Sequence, residues 1–339
     1  MKPIPCFMKF QKALYCLCLC ACVFVLGACG SSSSIPTPSP SKVPNPALLA
    51  EFTVPTASSV PAFITRGPDT DLWFTEQIGN KIAKVTKSGT ITEYTLPAAN
   101  SGPLGIVSGP DGNLWFVEQS GNRVGKATTG GSISEFSIPT ANSGPISIAA
   151  GPDGNLWFTE GSGNNIGRIT TGGVITEFAI PTTSSGPTII TKGPDGNLWF
   201  AEENGNKIGK ITTAGAITEY PVPTAGSAPI GIAQGSDGNL WFTEFSAGRV
   251  GKITTGGIAT DYPLPSPTSG PFGIAAGSDG NMWFMEISGN AIARVRPSGV
   301  VTEYKVLAAS SQPAIVTSGS DGNLWFSETQ ADKIGKFSP

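Results

Sequence analysis

The sequence predicts an all-β fold, a seven-bladed β-propeller with four-stranded blades of 42 residues. The first observation behind this prediction is a repeat, since the seven tryptophans stand at positions 73, 115, 157, 199, 241, 283 and 325, always 42 residues apart. The second is the pattern inside one repeat, where the turn sequences GPDGN, GSGN and TTGG separate short runs rich in Ile, Thr, Phe and Trp. Such runs are typical of strands joined by hairpins. A unit of this length with four strands matches a propeller blade.

Other residue types recur with each tryptophan. Every repeat has Pro twelve residues before the Trp, Asp four before, Phe one after and Glu three after. We expect the Trp and Phe rings to pack between neighbouring blades. The Asp-Gly-Asn tripeptide before most of the tryptophans resembles a fragment of a calcium loop, but it lacks the distal Glu of such loops. Because Asp-Gly is also a strong hairpin signal, a turn is the favoured interpretation.

The two ends of the repeat array predict how the ring closes. The last repeat stops after its third strand, KIGKF at 333–337, and the segment Leu48 to Pro55 resembles a fourth strand. We therefore expect the N-terminal strand to complete the seventh blade. Residues 47–339 number 293, against 294 for seven units of 42, so the propeller is predicted to fill this whole range.

Residues 1–28 have the features of a lipoprotein signal peptide. Three lysines precede an uncharged run at 13–26, which is too short to span a bilayer comfortably. The run ends in Leu26-Gly27-Ala28-Cys29, which is similar to a bacterial lipobox and predicts lipidation of Cys29; the alternative is an ordinary signal peptidase site. Residues 30–46 contain five prolines among many serines and are expected to form a tether. The protein is thus predicted to be exported and anchored to a membrane of the bacterial envelope.

The composition excludes several functions. The chain has no histidine, so no His base, no Ser-His-Asp triad and no His-ligated zinc can be formed. All six cysteines lie within the first 29 residues, which excludes disulfides in the propeller. A net charge of -3 argues against nucleic-acid binding. We expect a monomer.

Two repeated charged positions are candidates for chemistry. A glutamate ends the second strand of every blade and could converge on one mouth of the channel as a cation site: Glu76, Glu118, Glu160, Glu202, Glu244, Glu286 and Glu328. A base follows eight residues later: Lys84, Lys126, Arg168, Lys210, Lys252, Arg294 and Lys336. A repeated Glu–base ion pair, or a basic stem lying over the Trp, is the favoured structural interpretation.

One position differs between the repeats, directly after the shared Pro. It holds Ala62, Leu104, Ile146, Thr188, Ile230, Phe272 and Ala314. Variation at a channel mouth points to a ligand, and the mostly apolar side chains favour an apolar or amphipathic one. The alternative is that these side chains only fill the channel.

The repeated unit, GPDGNLWFTE followed by GNKIGKIT and ITEFxIPT, resembles the virginiamycin B lyase family over all seven blades. The resemblance implies a seven-bladed propeller that opens streptogramin B, a cyclic depsipeptide, by eliminating across an ester carbon–oxygen bond with Mg2+ and a His base. The catalytic His position is Ala314, the substrate-contacting His position is Phe272, and the two metal-binding Glu positions are Gln312 and Glu328. Of these four positions, only Glu328 keeps the family's residue.

We therefore predict a non-catalytic module that binds a small apolar ligand or a protein through Phe272, Gln312, Ala314 and Glu328. No catalytic residue and no cofactor are expected for such a module. The alternative is a Mg2+-dependent lyase that retains Glu328 as a metal ligand. A weaker alternative is a sugar-lactonase-like hydrolase, which would need an asymmetric set of metal-binding residues.

Overall fold

The computed structural model describes residues 47–305, 307 and 309–339, and these residues form seven antiparallel sheets of four strands each. The predicted seven-bladed propeller is confirmed. The predicted signal peptide, Cys29 and the tether lie outside the described residues. Within the described part of the chain, no helix has the length and apolar character that a membrane span requires.

The strands recur in the same order in every blade. The innermost strands, which begin at the shared Pro, are β2 (Pro61–Arg66), β6 (Pro103–Ser108), β10 (Pro145–Ala150), β14 (Pro187–Lys192), β18 (Pro229–Gln234), β22 (Pro271–Ala276) and β26 (Pro313–Ser318). The second strands are β3 (Leu72–Glu76), β7 (Leu114–Glu118), β11 (Leu156–Glu160), β15 (Leu198–Glu202), β19 (Leu240–Glu244), β23 (Met282–Glu286) and β27 (Leu324–Glu328).

The outer half of each blade is equally regular. The third strands are β4 (Lys81–Val85), β8 (Arg123–Ala127), β12 (Asn165–Ile169), β16 (Lys207–Ile211), β20 (Arg249–Ile253), β24 (Ala291–Val295) and β28 (Lys333–Ser338). The outermost strands are β5 (Ile91–Thr95), β9 (Ile133–Ser137), β13 (Ile175–Ala179), β17 (Ile217–Pro221), β21 (Ala259–Pro263), β25 (Val301–Tyr304) and β1 (Ala47–Thr53).

The closure of the ring agrees with the prediction. β1 pairs with β28 in antiparallel register, from Ala47 opposite Ser338 to Thr53 opposite Lys333. The backbone N–H groups of Ser58 and Val60 then donate to the carboxylate of Asp332, at 2.6 and 3.0 Å. The N-terminal strand is therefore held both by its ladder and by the loop that follows it.

Each tryptophan is fully buried and held by the turn that precedes it. In the third blade, the indole N–H of Trp157 donates to Asp153 Oδ1 at 3.1 Å, and the ring stacks on Phe178 with centroids 5.6 Å apart. Trp157 also packs with Leu198 and Phe200 of the next blade, as expected from the sequence. The Asp-Gly-Asn segments are turns, and their glycines have φ near +75°.

The base that follows the glutamate by eight residues lies over the tryptophan. Lys126 is 5.1 Å from the ring centre of Trp115 and 2.8 Å from Asp111. Trp and base are cross-strand partners in the ladder, as in Trp115 opposite Lys126. Of the two structural interpretations, the basic stem over the Trp is thus confirmed and the ion pair with the strand-ending Glu is wrong, because that register directs the base toward Asp.

Candidate functional site

The ring has two distinct faces because the strands of each blade alternate in direction. We call the end with the Asp-Gly-Asn turns the Asp face, and the end where the second strands finish in Glu the Glu face. Contacts between successive turns tie the Asp face together, as in Ser236 Oγ donating to the carbonyl of Gly280 at 2.8 Å. The innermost strands begin at the Glu face, so the candidate residues Phe272 and Ala314 lie toward that face.

Three of the four candidate residues come together in the seventh blade. Pro313, which lies between Gln312 and Ala314, is the cross-strand partner of Glu328. The carbonyl of Gln312 accepts a hydrogen bond from the backbone N–H of Thr329 at 3.1 Å. Phe272 belongs to the sixth blade and packs edge-to-face on Phe245, with centroids 6.4 Å apart.

The variable residues after the shared Pro are buried. Phe272 and Ala314 are each 2% exposed. Both belong to one apolar cluster, which also includes Leu104 of the second blade and Ile146 of the third blade. The hydroxyl of Thr188, at the same position in the fourth blade, donates to the carbonyl of Ile230 at 2.9 Å. This packing fits the alternative that these side chains fill the channel at the Glu face.

Sequence reasoning did not identify the cavity that the structure contains. About 350 Å³ of open space lies along the axis, bounded by residues two to five positions after the shared Pro. The third position after the Pro is a branched aliphatic residue in every blade and lines this space: Ile64, Ile106, Ile148, Ile190, Ile232, Ile274 and Val316. Their recurrence was a signal for this apolar lining.

Gln312 is in an unfavourable backbone conformation. Its φ is +54°, in the left-handed region, where four other blades have glycine at the same position. Its backbone N–H donates to Asn290 Oδ1 at 2.9 Å, while its side-chain Oε1 is buried without a hydrogen-bond partner. Strained residues with unused polar atoms are found preferentially at functional sites. Val60 and Ala228 share this backbone conformation at the same position, so the fold requires it, and the unpartnered side-chain oxygen is what distinguishes Gln312 at the Glu face.

The seven strand-ending glutamates are buried within their own blades, next to the loop that enters each blade, rather than open to the channel mouth. Each is at most 1% exposed, and both carboxylate oxygens of Glu202 lack a hydrogen-bond partner. Burial, together with the neighbouring Glu219 on the outermost strand, raises the pKa of Glu202 to about 8. Burial likewise raises the pKa of Glu76 and Glu286 to about 8. Glu76, Glu202 and Glu286 are therefore largely protonated at neutral pH.

The magnesium ion that the resemblance implies does not fit the residues present. Burial, followed by the charge of Glu51, raises the pKa of Glu328 to about 7, so this carboxyl is only partly ionised at neutral pH. The second donor, Gln312, is a neutral amide. The positive charge near Glu328 and Glu51 is already supplied by the Lys333 ammonium, which stands 3.0 Å from Glu51. Among the described residues, no three His, Cys, Asp or Glu side chains are grouped to share an ion. Mg2+ prefers charged oxygen ligands, which this set does not supply.

The family model of virginiamycin B lyase matches residues 49–265 and 234–339. The chain belongs to the virginiamycin B lyase family. A streptogramin B lyase structure is 37% identical and superposes with a TM-score of 0.82, covering 85% of this chain and 96% of that one. No curated protein sequence matches the chain.

Virginiamycin B lyase from Staphylococcus aureus is similar to the same degree, with 37% identity, a TM-score of 0.82, and coverage of 86% of this chain and 98% of that one. A catalytically inactive histidine-to-alanine variant of the same enzyme, in a crystal structure with quinupristin, is 38% identical. It has a TM-score of 0.82 and covers 86% of this chain and 98% of that one. The resemblance seen in the repeats is therefore confirmed at the level of family and fold.

Proposed function

We propose that this chain is a lipid-anchored, extracytoplasmic propeller that binds a ligand at the Glu face without transforming it. The observation that carries the proposal is the complete absence of histidine from a member of a family of lyases. In a relative, a single histidine-to-alanine change accompanies loss of catalysis in a protein crystallised with quinupristin. This chain has alanine, Ala314, where the resemblance puts the catalytic histidine.

The chemistry at the Glu face supports binding rather than elimination. An elimination needs a base within reach of the substrate proton. Ala314 has no proton acceptor, and Glu328, the nearest carboxyl in that blade, is 0% exposed. Without a fitting metal or an accessible base, no step of the lyase reaction can be assigned to these residues.

The same residues are suited to hold a cyclic peptide. The Gln312 side chain is only partly buried, and its Oε1 has no partner in the protein, so rotation of the amide would let it accept a hydrogen bond from an amide N–H of a ligand. Phe245, which is half-buried and packs on the buried Phe272, supplies aromatic surface at the same face. A cyclic depsipeptide combines apolar side chains with amide groups. Because a relative was crystallised with quinupristin, we take quinupristin as the first ligand to test.

Calorimetric titration with quinupristin, together with mass spectrometry of the antibiotic, tests the proposal. We expect binding with no linear product, and a Gln312→Ala variant that binds about fivefold more weakly because one hydrogen bond is lost. Asn197→Ala, on the opposite face, is the matched control and should bind normally. Absence of binding would overturn the proposal.

The lyase alternative makes the opposite prediction for the same samples. Turnover of quinupristin by the unmodified protein with Mg2+, abolished in Glu328→Ala, would establish a lyase. For the binding module, linearisation should appear only after Phe272→His, Gln312→Glu and Ala314→His are combined. The sugar-lactonase alternative is not favoured by any feature of the described residues.

The anchor is tested separately by fractionating cells that express the protein. The lipobox-like segment predicts that Cys29→Ser moves the propeller from the membrane fraction to the soluble fraction when the membranes are washed with high salt, which removes proteins held by charge alone. Unchanged fractionation would remove the lipid anchor from the proposal and leave ligand binding untouched.

A further inference from the structure

The two faces of the ring carry very different charge. Within residues 47–339, the half of the propeller nearer the Asp face, counting both strands and turns, holds eleven Lys and Arg against eight Asp. The half nearer the Glu face holds six Lys and Arg against sixteen Asp and Glu. The overall acidity of the protein therefore belongs to the Glu face, and the Asp face has a small excess of positive charge.

The acidic residues of the Asp face are already engaged. The aspartates that precede the tryptophans accept the indole N–H, as Asp195 does from Trp199 at 3.0 Å, and most of them also have a basic partner such as Lys210 at 3.9 Å. In contrast, four other cations of this face are exposed and form no ion pair with any described residue: Arg66, Lys87, Lys192 and Arg296. These four charges are available to an external partner.

Exposed aliphatic side chains are concentrated on the same face. Val174, Ile258 and Val300 are 65%, 72% and 53% exposed, and each lies in the turn between the third and fourth strands of its blade. Leu49, 51% exposed, lies near the beginning of β1 and thus also toward the Asp face. Ile78 is the one large exposed aliphatic residue of the described chain that lies on the Glu face.

The N-terminal strand also starts at this face. β1 runs as the outermost strand of the seventh blade, and Ala47 is paired with Ser338, the last residue of a strand that ends at the Asp face. Any segment that precedes residue 47 therefore joins the ring on the side with the free cations and the exposed aliphatic residues.

We propose that the Asp face is a membrane-docking surface that contacts anionic lipid headgroups through Arg66, Lys87, Lys192 and Arg296 and inserts the aliphatic turns into the interface. Cations near an anionic bilayer and aliphatic side chains at its boundary both favour association. In this orientation the Glu face, with Gln312 and Phe272, is turned toward the aqueous phase. The docking does not depend on the ligand proposed above or on acylation of Cys29.

Co-sedimentation with vesicles tests the docking surface. Residues 47–339, which contain all 28 described strands and the closing pair, are mixed with vesicles of phosphatidylcholine alone or with added phosphatidylglycerol. We expect binding only to the vesicles that contain phosphatidylglycerol, and weaker binding as salt is raised. Each cation replaced by Gln should weaken binding about fivefold, the equivalent of about 1 kcal/mol per charge near the membrane.

Matched residues on the opposite face provide the controls. Lys192→Gln should weaken vesicle binding, whereas Lys305→Gln, an exposed cation toward the Glu face, should not. Likewise Ile258→Ser should weaken it and Ile78→Ser should not. Equal effects within either pair, equal binding to both kinds of vesicle, or no binding at all would overturn the proposal; quinupristin binding in solution is measured without vesicles and fails or succeeds independently.

Discussion

Thr70 shows how a single residue can depart from what its blade requires. It is the middle residue of the segment Asp69-Thr70-Asp71 before Trp73. Its φ is +70°, and the other six blades have glycine at this position with φ between +74° and +77°. A β-branched residue in the left-handed region is strained, by about 1–2 kcal/mol. The carbonyl of Thr70 accepts a hydrogen bond from Ser320 Oγ at 2.9 Å, a backbone contact that any residue can provide.

We predict that Thr70→Gly stabilises the protein. The relieved strain exceeds the added freedom of the unfolded chain, so the free energy of unfolding should rise by about 0.5–1 kcal/mol. Urea unfolding followed by tryptophan fluorescence measures this change. Gly154→Thr, the reverse change in the third blade, should destabilise by a similar amount. A destabilised Thr70→Gly protein would show that the threonine side chain makes a contribution that the turn geometry does not reveal.

At this scale the sequence predicted the repeated contacts but not the irregular ones. The recurrence of Asp, Trp and base at fixed spacing predicted the turn and the basic stem over the ring, since each residue type has one role in every blade. It did not predict the left-handed backbone at Gln312, because glycine in four blades only becomes informative once φ is known. Nor did it show that Phe272 and Ala314 are buried, because a side chain next to the axis can either fill the channel or line it.

The closing strand is the element on which the integrity of the ring depends. Phe52 on β1 stacks on Trp325 with centroids 5.6 Å apart, in the same way as Phe178 stacks on Trp157 within the third blade. The two contacts differ only in sequence distance, since Phe52 comes from the opposite end of the described chain. The same local packing therefore holds one blade together in one case and closes the ring in the other.

We predict that Phe52→Ala and Phe178→Ala have different consequences. Each truncates a half-buried aromatic ring and should cost about 2–3 kcal/mol in the free energy of unfolding. Only Phe52→Ala should also release β1, because no hairpin joins β1 to β28, whereas β13 follows its neighbour β12 through a short turn. Hydrogen exchange should then accelerate in β28 for Phe52→Ala and stay slow there for Phe178→Ala. Equal protection of β28 in both variants would show that the ladder alone closes the ring.

Element boundaries were the most predictable part of the fold. Proline begins every innermost strand and glutamate ends every second strand. These two residues of each repeat therefore mark where the inner pair of strands begins and ends. The cavity was not predictable in the same way, because its volume depends on how far seven innermost strands stand from the axis. That distance is set by packing between blades and leaves no local pattern in the sequence.

At the scale of the whole molecule, the seven buried glutamates make stability depend on pH. Each has a raised pKa in the folded protein, of about 7 or about 8, against 4.5 for the unperturbed group. At pH values between the unfolded pKa and the folded pKa, the folded state binds more protons than the unfolded state. Stability is therefore greatest below the unfolded pKa and declines as pH rises through the folded pKa.

The turns of the Asp face act in the opposite sense at low pH. Burial alone would raise the pKa of Asp111, but hydrogen bonds from Lys126 and Trp115 hold it below its usual value. Asp321, with Lys336 and Trp325, behaves in the same way. Their contribution is present above the unfolded pKa of Asp and is lost as pH falls further, so the stability maximum should lie near pH 4, between the unfolded pKa values of 3.8 for Asp and 4.5 for Glu.

Glu202→Gln isolates one member of the buried set, far from the candidate site. The amide cannot ionise, so the decline in the free energy of unfolding between pH 5 and pH 9 should be smaller than in the unmodified protein, by up to about 4 kcal/mol. Asp195→Asn, in the same blade but on the Asp face, should leave the alkaline slope unchanged and reduce the loss at acidic pH instead. Urea unfolding at a series of pH values measures both slopes. An unchanged alkaline slope in Glu202→Gln would mean that this glutamate is ionised in the folded ring, and that water or a cation reaches it beside the loop that enters the blade.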